Sequence, residues 1–119
     1  MENYPLIQVN DRSLSVEFSA NVKLSTTHPL DMALDFDEAG EVVGIEILNL
    51  VFEAGKNCLG IIGQTVRADG YGLKYSYDED SDSFYLRLKA GLSFDQKAVH
   101  GSMCRDVRGQ IVAFSATWL

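Results

Sequence analysis

The chain has 119 residues, 46% of them hydrophobic and 23% charged, which is one globular domain's worth of polypeptide and excludes a disordered chain. Its 17 acidic and 10 basic side chains leave a net charge of -7, which repels phosphate backbones and argues against direct nucleic-acid binding. Two cysteines, Cys58 and Cys104, are too few and too far apart for a disulfide scaffold or a zinc knuckle, and read as buried apolar thiols in a reducing cytosol.

The opening, MENYPLIQVN, has no basic segment followed by an apolar stretch, so a secretory signal is not expected. A first strand is expected near 4–9. In 13–18, SLSVEF, the apolar residues Leu14, Val16 and Phe18 alternate with polar ones, the signature of a half-buried strand. A third strand follows near 31–36, and a fourth at 41–48, where Val43, Ile45 and Ile47 share a face. Between them, Asp37 and Gly40 frame a tight turn. Gly supplies the positive φ that a short hairpin loop requires, and Asp accepts a backbone N–H from its own turn. The longest apolar stretch, VVGIEILNLVF, is interrupted by Glu46 and falls short of the ~18 residues that span a bilayer. No membrane partner is expected, and a cytoplasmic location is.

The connector, 49–71, changes period. Leu50, Val51, Ala54, Cys58, Ile61, Ile62, Thr65 and Val66 recur at roughly helical spacing. Gly55, Gly60 and Gly63 each cost about 1 kcal/mol relative to Ala within a helix. One or two short, imperfect helices are expected.

Then the strand pattern returns. A strand near 72–77 precedes 83–88, SFYLRL, in which Phe84, Leu86 and Leu88 repeat the 14, 16, 18 triplet at a shift of 70. Another strand is expected near 99–105. Asp106 and Gly109 frame a second turn of the same kind, and Val112, Phe114, Ala116 and Trp118 alternate through 110–118. An internal repeat, 4–48 and 72–118, is the natural reading. One copy is too small to bury much surface alone, so the two would share one core.

Segments 77–88, YDEDSDSFYLRL, and 34–48, LDFDEAGEVVGIEIL, resemble the two halves of the domain of unknown function 2283 family, whose members are short prokaryotic proteins. The first half is carried by Tyr77, Asp78, Asp82, Phe84 and Tyr85. The second is carried by Asp35, Asp37, Gly40, Gly44, Ile45, Glu46, Ile47 and Leu48. The complementary elements, 9–18 and 104–117, are degraded: Ser115 answers Glu46, and no aromatic answers Tyr77. The resemblance implies two tandem, diverged copies, a bacterial source, no assigned activity and, through gene neighbourhoods of some members, an antitoxin-like role beside toxin-like partners.

The chemistry-bearing residues have plain alternatives. Asp78, Asp80 and Asp82 imitate the start of a calcium loop, but its sixth and twelfth positions would be Ser83 and Lys89, so a solvated acidic turn is expected and no metal site. His100 and Cys104 would lie about 13 Å apart on one strand, far beyond proton-transfer reach. A pairing of Cys58 with either histidine has no support in the sequence. His28, in the loop-like STTHPLD, reads as a surface residue. Asp35 and Asp37 fall about 7 Å apart on one face, but Asp37 is committed to its turn. Residues 60–65, GIIGQT, lack the Lys of a phosphate loop and the spacing of a dinucleotide fingerprint.

These readings combine into one expectation. The fold class is mainly β, with α+β as the alternative. A single domain over 1–119 contains two similar four-stranded antiparallel units that form a sandwich or flattened barrel, joined by a short helical connector. The expected function is a protein-binding or self-associating module without catalytic residues or cofactors, and its partner a protein or a second copy. Tyr75, Tyr77, Tyr85 and Trp118 are the candidate interface aromatics. The competing function is a small-ligand-binding protein or enzyme with a pocket between the sheets near Glu46 and Asp35.

Overall fold

The structure, a computed structural model, describes residues 5–19, 24–69 and 72–118. Strict apolar alternation gives strands that bury one face. The described residues form β1 (Leu6–Asn10), β2 (Ser13–Glu17), β3 (Leu24–Phe36), β4 (Val42–Leu48), β5 (Lys74–Asp78), β6 (Ser83–Arg87), β7 (Asp95–Asp106) and β8 (Ile111–Thr117). The connector forms two helices, α1 (Leu50–Ala54) and α2 (Lys56–Asp69), broken at Gly55, whose φ of 90° suits a residue without Cβ. None of these helices is long and apolar enough to cross a membrane.

The fold is mainly β, in the curled form of the two expected. All strand pairs are antiparallel and belong to one continuous sheet, ordered β1-β2-β8-β7-β3-β4-β6-β5 and curled into a half-barrel. Exchanging every strand for the one four places along reproduces this order read from the opposite edge. Neither four-strand group is closed on itself. The β1–β2 hairpin pairs with β8, through Leu14↔Ala116 and Val16↔Phe114, and the β5–β6 hairpin pairs with β4, through Ile45↔Leu86 and Ile47↔Phe84. The centre is the long β3–β7 ladder, from Leu24↔Asp106 to Phe36↔Asp95.

The main cluster of buried side chains rises from one face of this sheet, while Ala33 and Asp35 are buried on the other. Leu14, Val16, Leu30, Met32, Leu34, Ile45, Ile47, Phe84, Leu86, Met103 and Phe114 form one cluster. Cys58, Ile62 and Val66, spaced four apart on α2, close over it, and the Cys58 thiol touches the Met103 sulfur at 3.5 Å. Cys58 is buried as expected. Cys104, expected buried, is half-buried, because it lies on the opposite face of β7 beside Ala113 of β8.

The two Asp–Gly turns are built alike. Asp37 Oδ1 accepts the N–H groups of Ala39 (3.0 Å) and Glu41 (2.9 Å), and Gly40 has φ 84°. Asp106 Oδ1 accepts those of Arg108 (2.8 Å) and Gln110 (3.0 Å), and Gly109 has φ 82°.

The third strands are longer than expected. The stretch STTHPLD, read as a loop, is the first half of β3, so His28 is a half-buried strand residue rather than a loop residue. Proline is tolerated there for a local reason. Pro29 pairs with Ser102 of β7, whereas β4 begins pairing only at Met32, so the β4-side edge at Pro29 carries no ladder to interrupt. The first strand covers Leu6–Asn10; residue 4 lies outside the described residues.

Candidate functional site

The four sequence-selected aromatics divide between the two faces. Tyr75 and Tyr77 project from β5 onto the helix-covered, concave face. The Tyr75 ring stacks on Phe84 with centroids 5.5 Å apart, and its hydroxyl meets the Arg67 guanidinium. Gly63 of α2 makes room for it, since a Cβ there would sit 2.9 Å from the Tyr75 hydroxyl. Trp118 lies beyond the end of β8 and packs edge-on against Phe36 at 5.9 Å. Tyr85 stands on the other side of the sheet. Alternation demands this, because its neighbours Phe84 and Leu86 are buried.

Tyr85 belongs to a polar lock on the outer face that includes one of the two candidate pocket residues. Asp35 is only 7% exposed, and both its oxygens are engaged. Oδ2 accepts the Tyr85 hydroxyl at 2.8 Å, and Oδ1 accepts Gln96 Nε2 at 2.9 Å. Burial, reinforced by the bond to Asp35, pushes the Tyr85 hydroxyl up to about 12. General acid–base work favours a group titrating near the operating pH, so this pair fits a structural role better. The ring reaches Asp35 by crossing Gly44, where any Cβ would overlap the Tyr85 hydroxyl and Cζ. Glu46, the other candidate pocket residue, is half-buried between Ala33 of β3 and Tyr85 of β6 on this same outer face. Both carboxylates therefore lie across the sheet from the helices, and one curled sheet offers no space between two sheets for them to line. Asp37 does not converge on Asp35, because its carboxylate serves the turn and faces Lys89 at 3.8 Å.

A second polar cluster anchors α1. Asp82, with a left-handed φ of 52°, accepts the N–H of Val51 (2.9 Å) and the Tyr77 hydroxyl (2.7 Å) on Oδ1, and the N–H of Phe52 (3.0 Å) on Oδ2. The residue preceding the helix, Asn49, makes no side-chain cap; Asp82, 31 positions beyond Val51, caps the helix instead. Burial opposes ionisation of Asp82, but the bonds from Tyr77, Val51 and Phe52 outweigh it and hold the carboxyl below its ordinary value. The same bond, with burial, pushes Tyr77 up to about 12. Asp78 turns the other way, toward the N–H groups of Asp80 and Ser81. Asp78 and Asp82 thus direct their carboxylates to backbone N–H groups and Tyr77, and among the described residues no group of three or more His, Cys, Asp or Glu could hold a metal ion.

Beside this cluster lies an open hollow of about 690 Å³, lined by Val51, Phe52, Lys56, Leu59, Tyr77, Glu79 and Asp82. Phe52 is 75% exposed at its rim. Of these residues, sequence reasoning singled out Tyr77 for an interface and Asp82 for a solvated turn. Phe52 carried a usable signal: helical spacing places it off the face that Leu50 buries.

Cys58 is surrounded by core, and burial raises its thiol while the nearby Arg105 pulls it back. His100 and Cys104 both lie on β7, as extended as expected.

One family, described as a protein of unknown function (DUF2283), matches residues 14–50. That stretch contains β2, β3 and β4, with the Asp37–Gly40 turn, Asp35, Gly44 and Glu46. No curated protein and no solved structure matches the chain.

Proposed function

We propose that the protein is a non-catalytic protein-binding module made of two diverged copies of one four-stranded unit, and that its partner docks in the hollow beside α1. The duplication is supported by the strand order, by the two identically bonded Asp–Gly turns, and by a family match that covers three of the first unit's four strands, β2 to β4. In this reading each unit lends its hairpin to the other, as a domain-swapped dimer does, and the connector makes the exchange intramolecular.

The observation that carries the binding role is the contrast between polar and apolar surface. The ionisable groups of the two polar clusters, Asp35 with Tyr85 and Asp82 with Tyr77, are bonded to one another or to backbone. The concavity beside Asp82 and Tyr77 presents Phe52, Val51 and Leu59. An exposed aromatic in an apolar depression with a charged rim is the anatomy of an interface anchor. A toxin-like protein, the class implied by the family resemblance, is the first partner to seek.

The test is a photo-crosslinking amino acid at position 52, with the same group at Ser115 on the outer face as control, in cells of the native host. Position 52 should capture one defined protein that position 115 does not. Equal labelling from both positions in every growth condition would overturn the proposal.

A further inference from the structure

The two edges of the sheet are equivalent in topology but not in surface. On β5, Tyr75 and Tyr77 stand opposite Leu86 and Phe84. On β1, the same positions are held by Ile7 and Val9, opposite Val16 and Leu14. Tyr75 is covered by α2 and Tyr77 is tied to Asp82 beside the hollow, both half-buried, whereas Ile7 and Val9 are 37% and 53% exposed. The strands differ in charge as well. β5, KYSYD, has a cation at one end and an anion at the other, the kind of residue that blunts an edge. β1, LIQVN, has no charge, no proline and no glycine.

We infer that β1 is a self-association edge, where a second copy of this chain pairs antiparallel about Gln8. In this register Ile7 faces the partner's Val9 and Val9 faces the partner's Ile7. All four then lie on the concave side and continue the apolar face that Leu14 and Val16 begin. The patch is self-complementary under a two-fold axis, as an isologous contact requires. Self-complementarity selects the occupant, and charge selects the place of contact. Two chains of net charge -7 repel over most of their surfaces, and a neutral strand is where they can approach at least cost. Five-residue strands bury little area, so the dimer is concentration-dependent. The inference is independent of the hollow beside α1.

Sedimentation of the full chain over a dilution series tests it. The mass should rise with concentration from 13.2 kDa toward twice that value. Val9→Lys, at an exposed position, should stay at the monomer mass with an unchanged circular-dichroism spectrum, whereas Phe52→Asp should still dimerise. In a Cys104→Ser background, Gln8→Cys should oxidise to a covalent dimer, and Ser76→Cys at the equivalent point of β5 should not. A monomer at every concentration, a dimer indifferent to Val9→Lys, or crosslinking through Ser76→Cys instead would overturn the inference.

Discussion

Replacing Gly44 by Ala tests the outer-face lock. The backbone at Gly44 does not need positive φ, so the cost is one of space. The new methyl would overlap the hydroxyl and Cζ of Tyr85, with Cε1 at 3.1 Å, and the ring must swing off Asp35. Asp35 would then keep Gln96 but lose its 2.8 Å bond to Tyr85 while 7% exposed. Stripping one partner from a buried polar group costs about 1–3 kcal/mol. Against this, Ala in a strand is better than Gly by about 0.5–1 kcal/mol. The net expectation is a loss of about 1–2 kcal/mol, or a fall of roughly 3–6 °C in melting temperature for each kcal/mol in a domain of this size. Urea unfolding followed by circular dichroism measures it. The same exchange in a Tyr85→Ala background should be neutral or stabilising, since nothing remains to overlap. A neutral Gly44→Ala in the parent protein, or an undiminished cost without the Tyr85 ring, would refute the reasoning.

Asp82→Ala should cost about 1–2 kcal/mol by uncapping α1 and freeing the Tyr77 hydroxyl, with loss of helical signal preceding global unfolding in urea. The carboxyl of Asp82 is held below its ordinary value, so its contribution is present above that value and is lost as pH falls through the lower, folded one; acid unfolding of the parent protein should show a step that Asp82→Ala lacks. Tyr77 and Tyr85, pushed up to about 12, should titrate above the ordinary tyrosine value by tyrosinate absorbance. Their contribution to stability is complete below the ordinary value of about 10 and disappears between there and about 12. Gly40→Ala and Gly109→Ala, at φ 84° and 82°, should each cost about 1–2 kcal/mol in chemical unfolding, and unequal costs would count against equivalence of the two turns.

Local grammar was legible in the sequence; partner choice between strands was not. Asp37, Gly40, Asp106 and Gly109 announce their turns because the chemistry lies within five residues. Alternation in SLSVEF and SFYLRL fixes which side chains are buried, but says nothing about the neighbouring strand. Leu14 and Val16 could face Ile47 and Ile45 of their own half as readily as Ala116 and Phe114 of the other, and the structure takes the second choice. Gly44 looked like a motif residue without a reason, because its reason is Tyr85, 41 positions away. The aromatic grouping divided because parity puts Tyr85 opposite Phe84, whereas Tyr75 and Tyr77 could be placed only once β5 was in register with β6. Pro29 misled as a loop marker because proline's missing N–H matters only where a strand is paired on that side.

The proposed interlocked two-unit plan underlies both the proposed docking hollow and the proposed pairing edge, and cross-strand amide NOEs in the intact protein test it directly. The account predicts contacts joining Leu14 to Ala116 and Ser15 to Ser115, together with contacts joining Glu46 to Tyr85 and Ile47 to Phe84. Contacts from 13–17 to 42–48, which would make the first unit self-contained, would contradict it.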